Sequence, residues 1–211
     1  MKTVYILRHG QTDFNLKGIV QGSGVDSSLN ETGRSQGDHF YQKHGHLPFQ
    51  VVLISALRRT RETVAGFIEA GIPYEQHPEI NEMSWGEHEG KKGTPESIAE
   101  YKSIKDGWGG GHIDGRIGGG ESAREMGVRL QKFIDHLPDR EEDLILICSH
   151  GRAMCGLVTL MMGLPIDRMN ELTHSNTGLW RARLQEDGYW LFDLKNDRTH
   201  LPEAMINAGK W

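Results

Sequence analysis

The sequence lacks the features expected of a secreted, membrane-bound or nucleic-acid-binding protein. Its 211 residues include only two cysteines, Cys148 and Cys155, too few for a disulfide framework. No apolar run approaches the length of a transmembrane helix, and the short apolar stretch at residues 4–7 is insufficient for a signal peptide. The net charge of -5, without a long basic run, argues against a nucleic-acid partner. We therefore expect a cytoplasmic protein, in which a local basic pocket could still bind a small anion.

Short apolar runs alternate with helical segments along the chain. The runs at residues 4–7, 51–54 and 144–148 are rich in β-branched residues or leucine and end abruptly in polar residues, as buried parallel strands do. This alternation predicts an α/β fold with a mostly parallel sheet. Two later segments, 179–184 and 189–194, flank a Glu-Asp-Gly turn and predict a hairpin or paired edge strands. We predict helices over residues 30–44, 57–70, 121–136 and 153–162.

The segment 107–120, which reads GWGGGHIDGRIGGG, differs in composition from the rest of the chain. So many glycines predict neither a helix nor a central strand, because glycine loses more backbone entropy on folding than any other residue. Two interpretations stay open for this segment. It is either a disordered surface loop or a mobile lid at the rim of an active site.

Histidines and arginines follow the three apolar runs at the points where the runs end. The three motifs are, in chain order, Arg8-His9-Gly10, Ser55-Ala56-Leu57-Arg58-Arg59 and Ser149-His150-Gly151. Ligands of open parallel sheets bind at the carboxyl ends of the strands, so these side chains are expected to meet at one edge. A lone histidine at a strand end is usually structural. Three such motifs at the ends of neighbouring strands indicate a binding site.

The chemistry of these side chains suits phosphoryl transfer. Arginine offers a planar fork of donors that matches phosphate oxygens, and neutral imidazole is a competent nucleophile near neutral pH. Small residues such as Gly10, Gly22 and Gly151 would let backbone N–H groups approach an anion. Metal-dependent hydrolysis fits less well because carboxylates are missing beside the histidines. We therefore expect neither a metal nor another cofactor.

The order of these motifs resembles that of the histidine phosphatase superfamily, also called the phosphoglycerate mutase-like family, over most of the chain. Residues 8–15, RHGQTDFN, are similar to its R-H-G-x-[ST]-x-x-N signature, and residues 21–36 resemble its Q-G…D…L-[TN]-x-x-G-x-x-Q stretch. The remaining matches lie at residues 55–63 (S-D-L-x-R-A-x-x-T), 81–90 (the acid/base glutamate), 119–122 (G-G-E-S) and 149–151 (the second histidine).

The resemblance implies a role for each matching residue. His9 would attack phosphorus and form a phosphohistidine, and Glu82 would protonate the leaving group and then activate water. Arg8, Arg59 and His150 would stabilise the phosphoryl oxygens, although His150 has the alternative role of supporting His9. The implied phosphate-binding set is Gly10, Asn15, Gln21, Gly22 and Gly151.

The resemblance also implies a fold and a partner. We expect a single domain over residues 1–211 with a three-layer α/β sandwich, in which a mostly parallel sheet is flanked by helices. A lid or loop region would cover residues 83–120. The partner would be a small phosphorylated metabolite, with no nucleic acid and no membrane involved. Several relatives are dimers, which leaves a homodimer open.

The family contains both phosphatases and mutases, and the sequence favours a phosphatase. Mutases that depend on bisphosphoglycerate carry an E-R-H-Y-G run after the acid, whereas residues 82–86 read EMSWG and lack a basic pair. Lys91, Lys92 and Arg116 could partly compensate. A non-catalytic binder of phosphorylated ligands is a third alternative, disfavoured because every catalytic position is retained. Gly151 stands where the acid-phosphatase branch has an aspartate, which disfavours that branch.

Other histidines and tryptophans have weaker claims to function. His39, His44 and His46 lie close together but lack carboxylate partners, so we predict no metal site there. His88 is near Glu82 in sequence and is a candidate for substrate contact. Most tryptophans are expected to pack in the core, and the two candidates for a place at the site are Trp85 and Trp108.

Overall fold

The computed structural model describes residues 1–207, so residues 208–211 of the predicted domain lie outside the described part. A six-stranded sheet with the order β3-β2-β4-β1-β5-β6 forms the centre. Its strands are β1 (Thr3–Arg8), β2 (Val51–Ile54), β3 (Tyr74–Gln76), β4 (Leu144–Ser149), β5 (Leu179–Leu184) and β6 (Trp190–Asp197). The first four are mutually parallel, β5 is antiparallel to β1, and β6 at the edge is antiparallel to β5. The α/β class, the mostly parallel sheet and the C-terminal hairpin are thereby confirmed.

Helices flank this sheet. They are α1 (Asp13–Lys17), α2 (Glu31–His44), α3 (Arg58–Thr63), α4 (Ala65–Glu69), α5 (Pro95–Gly109), α6 (Ala123–His136), α7 (Gly151–Met161) and α8 (Glu203–Asn207). Short 3-10 turns occupy Pro78–Ile80, Gly86–His88, Ile117–Gly119 and Ile166–Glu171. Within residues 1–207 no helix combines the length and apolar character needed to cross a bilayer.

The central strands supply side chains to two apolar cores, one on each face of the sheet. Val4 and Ile6 of β1 belong to the core that also holds residues of α6 and α7. Tyr5 and Leu7 belong to the other core, with Phe40 of α2. Successive side chains of a strand point to opposite faces, so a strand covered on both faces must be apolar throughout. This explains why the strands read as continuous apolar runs.

Two sequence-based predictions of secondary structure are corrected. The single helix expected over residues 57–70 is divided at Val64, whose φ of -107° and ψ of 18° depart from helical geometry. The glycine-rich segment is not wholly irregular, because α5 extends through Gly109. Trp108 is completely buried, and its Nε1 donates to the carbonyl oxygen of Gly115 at 2.9 Å. Packing of this one large side chain outweighs the low helical propensity of its glycine neighbours. The predicted lid or loop region, 83–120, therefore contains a fifteen-residue helix.

Candidate active site

The carboxyl ends of β1, β4 and β2 bring the predicted catalytic side chains to one edge of the sheet. Arg8 at the end of β1 is paired in register with Ser149 at the end of β4. The residues that follow, His9 and His150, have ring centroids 5.2 Å apart. β2 ends on the other side of β4, and the chain after it carries Arg59 to the same edge.

His9 is buried and held in one orientation. Its Nδ1 lies 2.7 Å from the carbonyl oxygen of Gly10, and because a carbonyl only accepts, Nδ1 must carry the proton. Nε2 therefore presents a lone pair, as a nucleophile requires. Burial lowers the pKa of His9 well below its usual value, and the charges of Arg59 and Arg8 lower this pKa further. The ring is consequently neutral at physiological pH.

Arg59 and His150 form a buried hydrogen-bonded pair. Nε of Arg59 donates to Nδ1 of His150 at 3.0 Å, so Nε2 of His150 carries the proton and donates to Oγ of Ser55 at 2.7 Å. The Nη groups of Arg59 donate to the carbonyl oxygens of Val25 at 2.7 Å and Gly22 at 3.3 Å. Burial lowers the pKa of Arg59 to about 10, which leaves it charged at neutral pH. Burial is also the main reason why the pKa of His150 lies well below its usual value.

Arg8 is half-buried at the end of β1 and has a donor without a protein partner. Its Nε is buried and makes no hydrogen bond within residues 1–207. Burial lowers the pKa of Arg8, whereas the charge of Glu82 raises it. Among the ion pairs of the described chain, none involves Arg8 or Arg59. Two guanidinium groups are therefore available to an incoming anion.

The carboxylate of Glu82 is buried at the N-terminus of α7. Its Oε1 accepts from the backbone N–H groups of Met83 at 2.9 Å and Ala153 at 3.0 Å, and its Oε2 accepts from that of Arg152 at 3.2 Å. These three bonds fix the carboxyl group of Glu82 at the helix N-terminus. Because α7 begins directly after His150, one helix start fixes both the carboxylate and the second histidine.

The three glycines of the predicted phosphate-binding set make close contacts within the protein. The N–H of Gly10 donates to Oγ1 of Thr63 at 2.9 Å, so it is bonded within the protein in this structure, and its role in phosphate binding stays a prediction. Gly22 offers its carbonyl to a guanidinium, as described above. A Cβ on Gly151 would lie 2.7 Å from Cε1 of His174. In this arrangement the contacts of the three glycines help to fix the positions of His9, Arg59 and the start of α7.

The two predicted amide ligands, Asn15 and Gln21, are anchored through their oxygens. Oδ1 of Asn15 accepts from the N–H of Thr12 at 3.2 Å and from Nδ2 of Asn176 at 3.4 Å. Oε1 of Gln21 accepts from Oγ1 of Thr12 at 3.0 Å and from the hydroxyl of Ser27. The NH₂ group of each amide is therefore the end that can donate to a phosphate.

Two residues that the sequence did not single out complete the site. Asn176 donates from Nδ2 to the carbonyl oxygen of His9 at 3.0 Å, a contact created by the pairing of β5 with β1. Arg152 is 9% exposed, and its Nη groups donate to Oδ1 of Asn170 at 3.1 Å and to the hydroxyl of Tyr101 at 2.8 Å. The position of Arg152 directly after the Ser-His-Gly motif was the signal that could have found it. Nothing in the sequence pattern marks Asn176.

The remaining candidates lie elsewhere or have other partners. In the part of the chain that the structure describes, no group of three or more His, Cys, Asp or Glu side chains is placed to hold a metal ion. Nε2 of His88 lies 2.6 Å from Oε2 of Glu100 on α5. Trp108 is part of the core, whereas Trp85 is 8% exposed and stacks at an angle against Tyr101.

Similar proteins match this chain over nearly its full length, and solved structures share its fold. A protein of Erwinia tasmaniensis named "Probable phosphoglycerate mutase GpmB" is 32% identical, with 98% of each chain covered. A protein of Schizosaccharomyces pombe named as a probable phosphatase is 31% identical, with 94% of each covered. The fold is also that of the alpha-ribazole phosphatase from Shigella flexneri, with a TM-score of 0.81, 22% identity and 93% and 96% coverage. The mycobacterial glucosyl-3-phosphoglycerate phosphatase gives a TM-score of 0.81 at 23% identity, with 93% and 99% coverage.

The family itself is shown by a match over nearly the whole chain. The model of the histidine phosphatase superfamily (branch 1) matches residues 4–198, which include every predicted catalytic residue and the whole sheet except Thr3, the first residue of β1. The chain belongs to the histidine phosphatase superfamily.

Proposed function

We propose that this protein is a phosphatase that hydrolyses a small phosphomonoester, without a metal ion, through a phosphohistidine intermediate on His9. The orientation of His9 carries the proposal. Its Nδ1–H is held by the carbonyl of Gly10, which leaves the Nε2 lone pair free beside two guanidinium groups without a carboxylate partner, those of Arg8 and Arg59.

The first step is attack of Nε2 of His9 on phosphorus. A bond forms between nitrogen and phosphorus while the ester bond breaks, and its electron pair goes to the leaving oxygen. Glu82, in its protonated form, gives this oxygen a proton, and the alcohol departs. In the second step the Glu82 carboxylate accepts a proton from water as the water attacks phosphorus. Inorganic phosphate leaves and His9 is regenerated.

Charge on the transferred phosphoryl group would be stabilised by fixed cations and amide donors. Arg8 offers its unpaired Nε–H, and Arg59 is already oriented by three acceptors. Such preorganised donors are worth several kcal/mol to a transition state, which supports catalysis without a metal. His150 would contact a phosphate through Nε2 only by giving up its bond to Ser55. In the present arrangement it positions Arg59.

A phosphoglycerate mutase is the second candidate function. The names of several relatives favour it, and so does Arg152, a buried arginine whose side-chain partners are both neutral. Against it, Arg116 does not compensate for the missing basic pair, because its guanidinium is bound to Glu125 and to the carbonyl of Gly120. Lys91 and Lys92 are exposed. The phosphatase is therefore the better supported function.

The test is a screen of phosphorylated metabolites for release of inorganic phosphate in EDTA. A parallel assay would supply 3-phosphoglycerate with 2,3-bisphosphoglycerate and detect isomerisation. We expect phosphate release by the wild type and none by His9→Ala. Isomerisation without phosphate release would identify a mutase. Equal background rates for the wild type and His9→Ala on every compound, including an aryl phosphate, would identify a non-catalytic binder.

A further inference from the structure

A small apolar cavity lies between α5 and the two loops that border the active site. Its volume is about 150 Å³, and its walls include Val20, Trp85, Ile98, Tyr101 and Ile117. The rings of Trp85 and Tyr101 lie 5.8 Å apart at an angle of 56°. An engineered cavity of this size in another protein holds a benzene molecule, so the space suits one ring or a branched alkyl group.

The polar side chains around the cavity have their hydrogen bonds satisfied elsewhere. Nε2 of His88 is paired with Glu100, and Oγ of Ser97 is bonded to Thr94 in the cap of α5. The hydroxyl of Tyr101 accepts from Arg152, so its ring is the part that lines the cavity. An occupant would therefore meet apolar surface, and a polar occupant would lose hydrogen bonds to water without replacement.

Two walls of the cavity belong to segments that also hold groups of the site. Val20 lies two residues before Gly22, whose carbonyl holds Arg59. Trp85 follows Glu82 by three residues. The two segments meet beside Glu82, since a Cβ on Gly22 would lie 2.7 Å from the carbonyl oxygen of Met83.

The wall formed by α5 is linked to the same acid. Tyr101 bonds the side chain of Arg152, and the backbone N–H of Arg152 binds the Glu82 carboxylate. A substituent on the alcohol that departs toward Glu82 is thus the part of a substrate that can reach the cavity.

We infer that this cavity binds an apolar, ring-sized substituent on the alcohol of the phosphomonoester substrate. The inference rests on the proposed function, since it assigns the leaving-group end of the same site. Burying a ring of this size against apolar walls strengthens binding roughly 10- to 100-fold. The preferred substrates are therefore phosphate esters of aryl-bearing or branched alcohols rather than of short unsubstituted or polyhydroxylated ones.

The experiment compares two stable phosphonates as competitive inhibitors of p-nitrophenyl phosphate hydrolysis in EDTA. Propylphosphonate and 3-phenylpropylphosphonate differ only in the ring, and neither is hydrolysed, so their inhibition constants report binding alone. We expect the ring to lower the inhibition constant roughly 10- to 100-fold in the wild type. A ratio near one, or no inhibition by either compound, would overturn the inference.

Two variants locate the effect in the cavity. A Cβ on Gly93 would lie 3.4 Å from Cγ1 of Ile98, in ordinary contact, so Gly93→Val adds bulk at the cavity wall. Ile98 is 50% exposed, and Ile98→Ala removes one wall; Val128→Ala, at a residue 56% exposed on α6, is its matched control. We expect Gly93→Val and Ile98→Ala to bring the ratio toward one, and Val128→Ala to leave it unchanged. A large ratio that survives both would place the preference elsewhere and overturn the inference.

The same assay separates the inference from the function on which it rests. If p-nitrophenyl phosphate is hydrolysed by the wild type but not by His9→Ala, the proposed function stands whatever the phosphonate ratio shows. If the wild type hydrolyses nothing, the proposed function fails and the inference falls with it.

Discussion

At the scale of single residues, backbone contacts fix the orientation of His9, the proposed nucleophile. The carbonyl of Gly10 selects the tautomer, the Gly10 N–H is tied to Thr63, and Asn176 holds the carbonyl of His9. A ring fixed in this way reaches the reactive geometry without losing further rotational freedom, which lowers the barrier of an attack step. Burial, together with the charges of Arg59 and Arg8, lowers the pKa of His9 and keeps the ring neutral.

The role of Glu82 as acid predicts a dependence on the leaving group. Glu82→Gln cannot donate a proton, so kcat/KM on an alkyl phosphate should fall by roughly 10²- to 10⁴-fold. On p-nitrophenyl phosphate the loss should be at least tenfold smaller, because this leaving group needs little protonation. Steady-state kinetics on both substrates measure the difference. Equal losses would show that Glu82 is not the acid.

A structural control belongs with that variant. The carboxylate of Glu82 accepts three backbone N–H groups, and glutamine would set an NH₂ group against one of them. The Tm of Glu82→Gln should therefore be measured beside its kinetics. A fall in stability affects both substrates equally and leaves their ratio intact.

At the scale of elements, Arg152 connects α7 to α5 and to the 3-10 turn Ile166–Glu171. Arg152→Met should leave the Tyr101 hydroxyl and the Asn170 amide without their donor, at a cost of about 1–3 kcal/mol. Relative to the wild type, we expect Arg152→Met to accelerate hydrogen exchange in Pro95–Gly109 more than in other segments. Arg168→Met, which removes only an exposed pair with Glu171, is the control. Unchanged exchange in α5 would mean that this helix is held without Arg152.

Elements differ in how far their sequence determines them. The strands were predictable because burial on both faces demands unbroken apolar runs, and the edge they share followed from parallel pairing. The end of α5 was not, because Trp108 packs in a core whose other members lie far from the glycine-rich segment in the sequence. The catalytic positions could be placed by motif. Asn176 could not, since only the sheet brings it to His9.

At the scale of the whole molecule, buried and half-buried histidines make stability depend on pH, and two of them, His44 and His200, lie outside the candidate active site. His44 and His200 lie against Phe40 within one aromatic cluster, and both ring nitrogens of His200 are buried without hydrogen-bond partners in residues 1–207. Burial is the main cause that lowers the pKa of each to about 4. In the unfolded chain these histidines bind protons as the pH falls through about 6.5, whereas in the folded protein they bind them only near pH 4. Their contribution to the free energy of unfolding is therefore fully present above about pH 6.5 and is lost progressively between about pH 6.5 and pH 4.

This predicts a lower Tm at pH 5.0 than at pH 7.5. For His200 alone the difference is about 2 kcal/mol, equivalent to several degrees in Tm. His200→Phe, which keeps an aromatic ring without the titrating nitrogens, should flatten the pH dependence. His136→Gln, at an exposed position on α6, should not. Parallel slopes for His200→Phe and the wild type would exclude His200 as a source of the effect.

The position of β1 has a consequence for biosynthesis. β1 is translated before the other strands of the sheet, and its two neighbours, β4 and β5, lie far from it in the sequence. The strand that precedes His9 therefore stays unpaired, with its apolar side chains exposed, until β4 has been translated. We expect nascent chains to rely on chaperones until β4 and β5 have emerged, and the candidate active site to form only then.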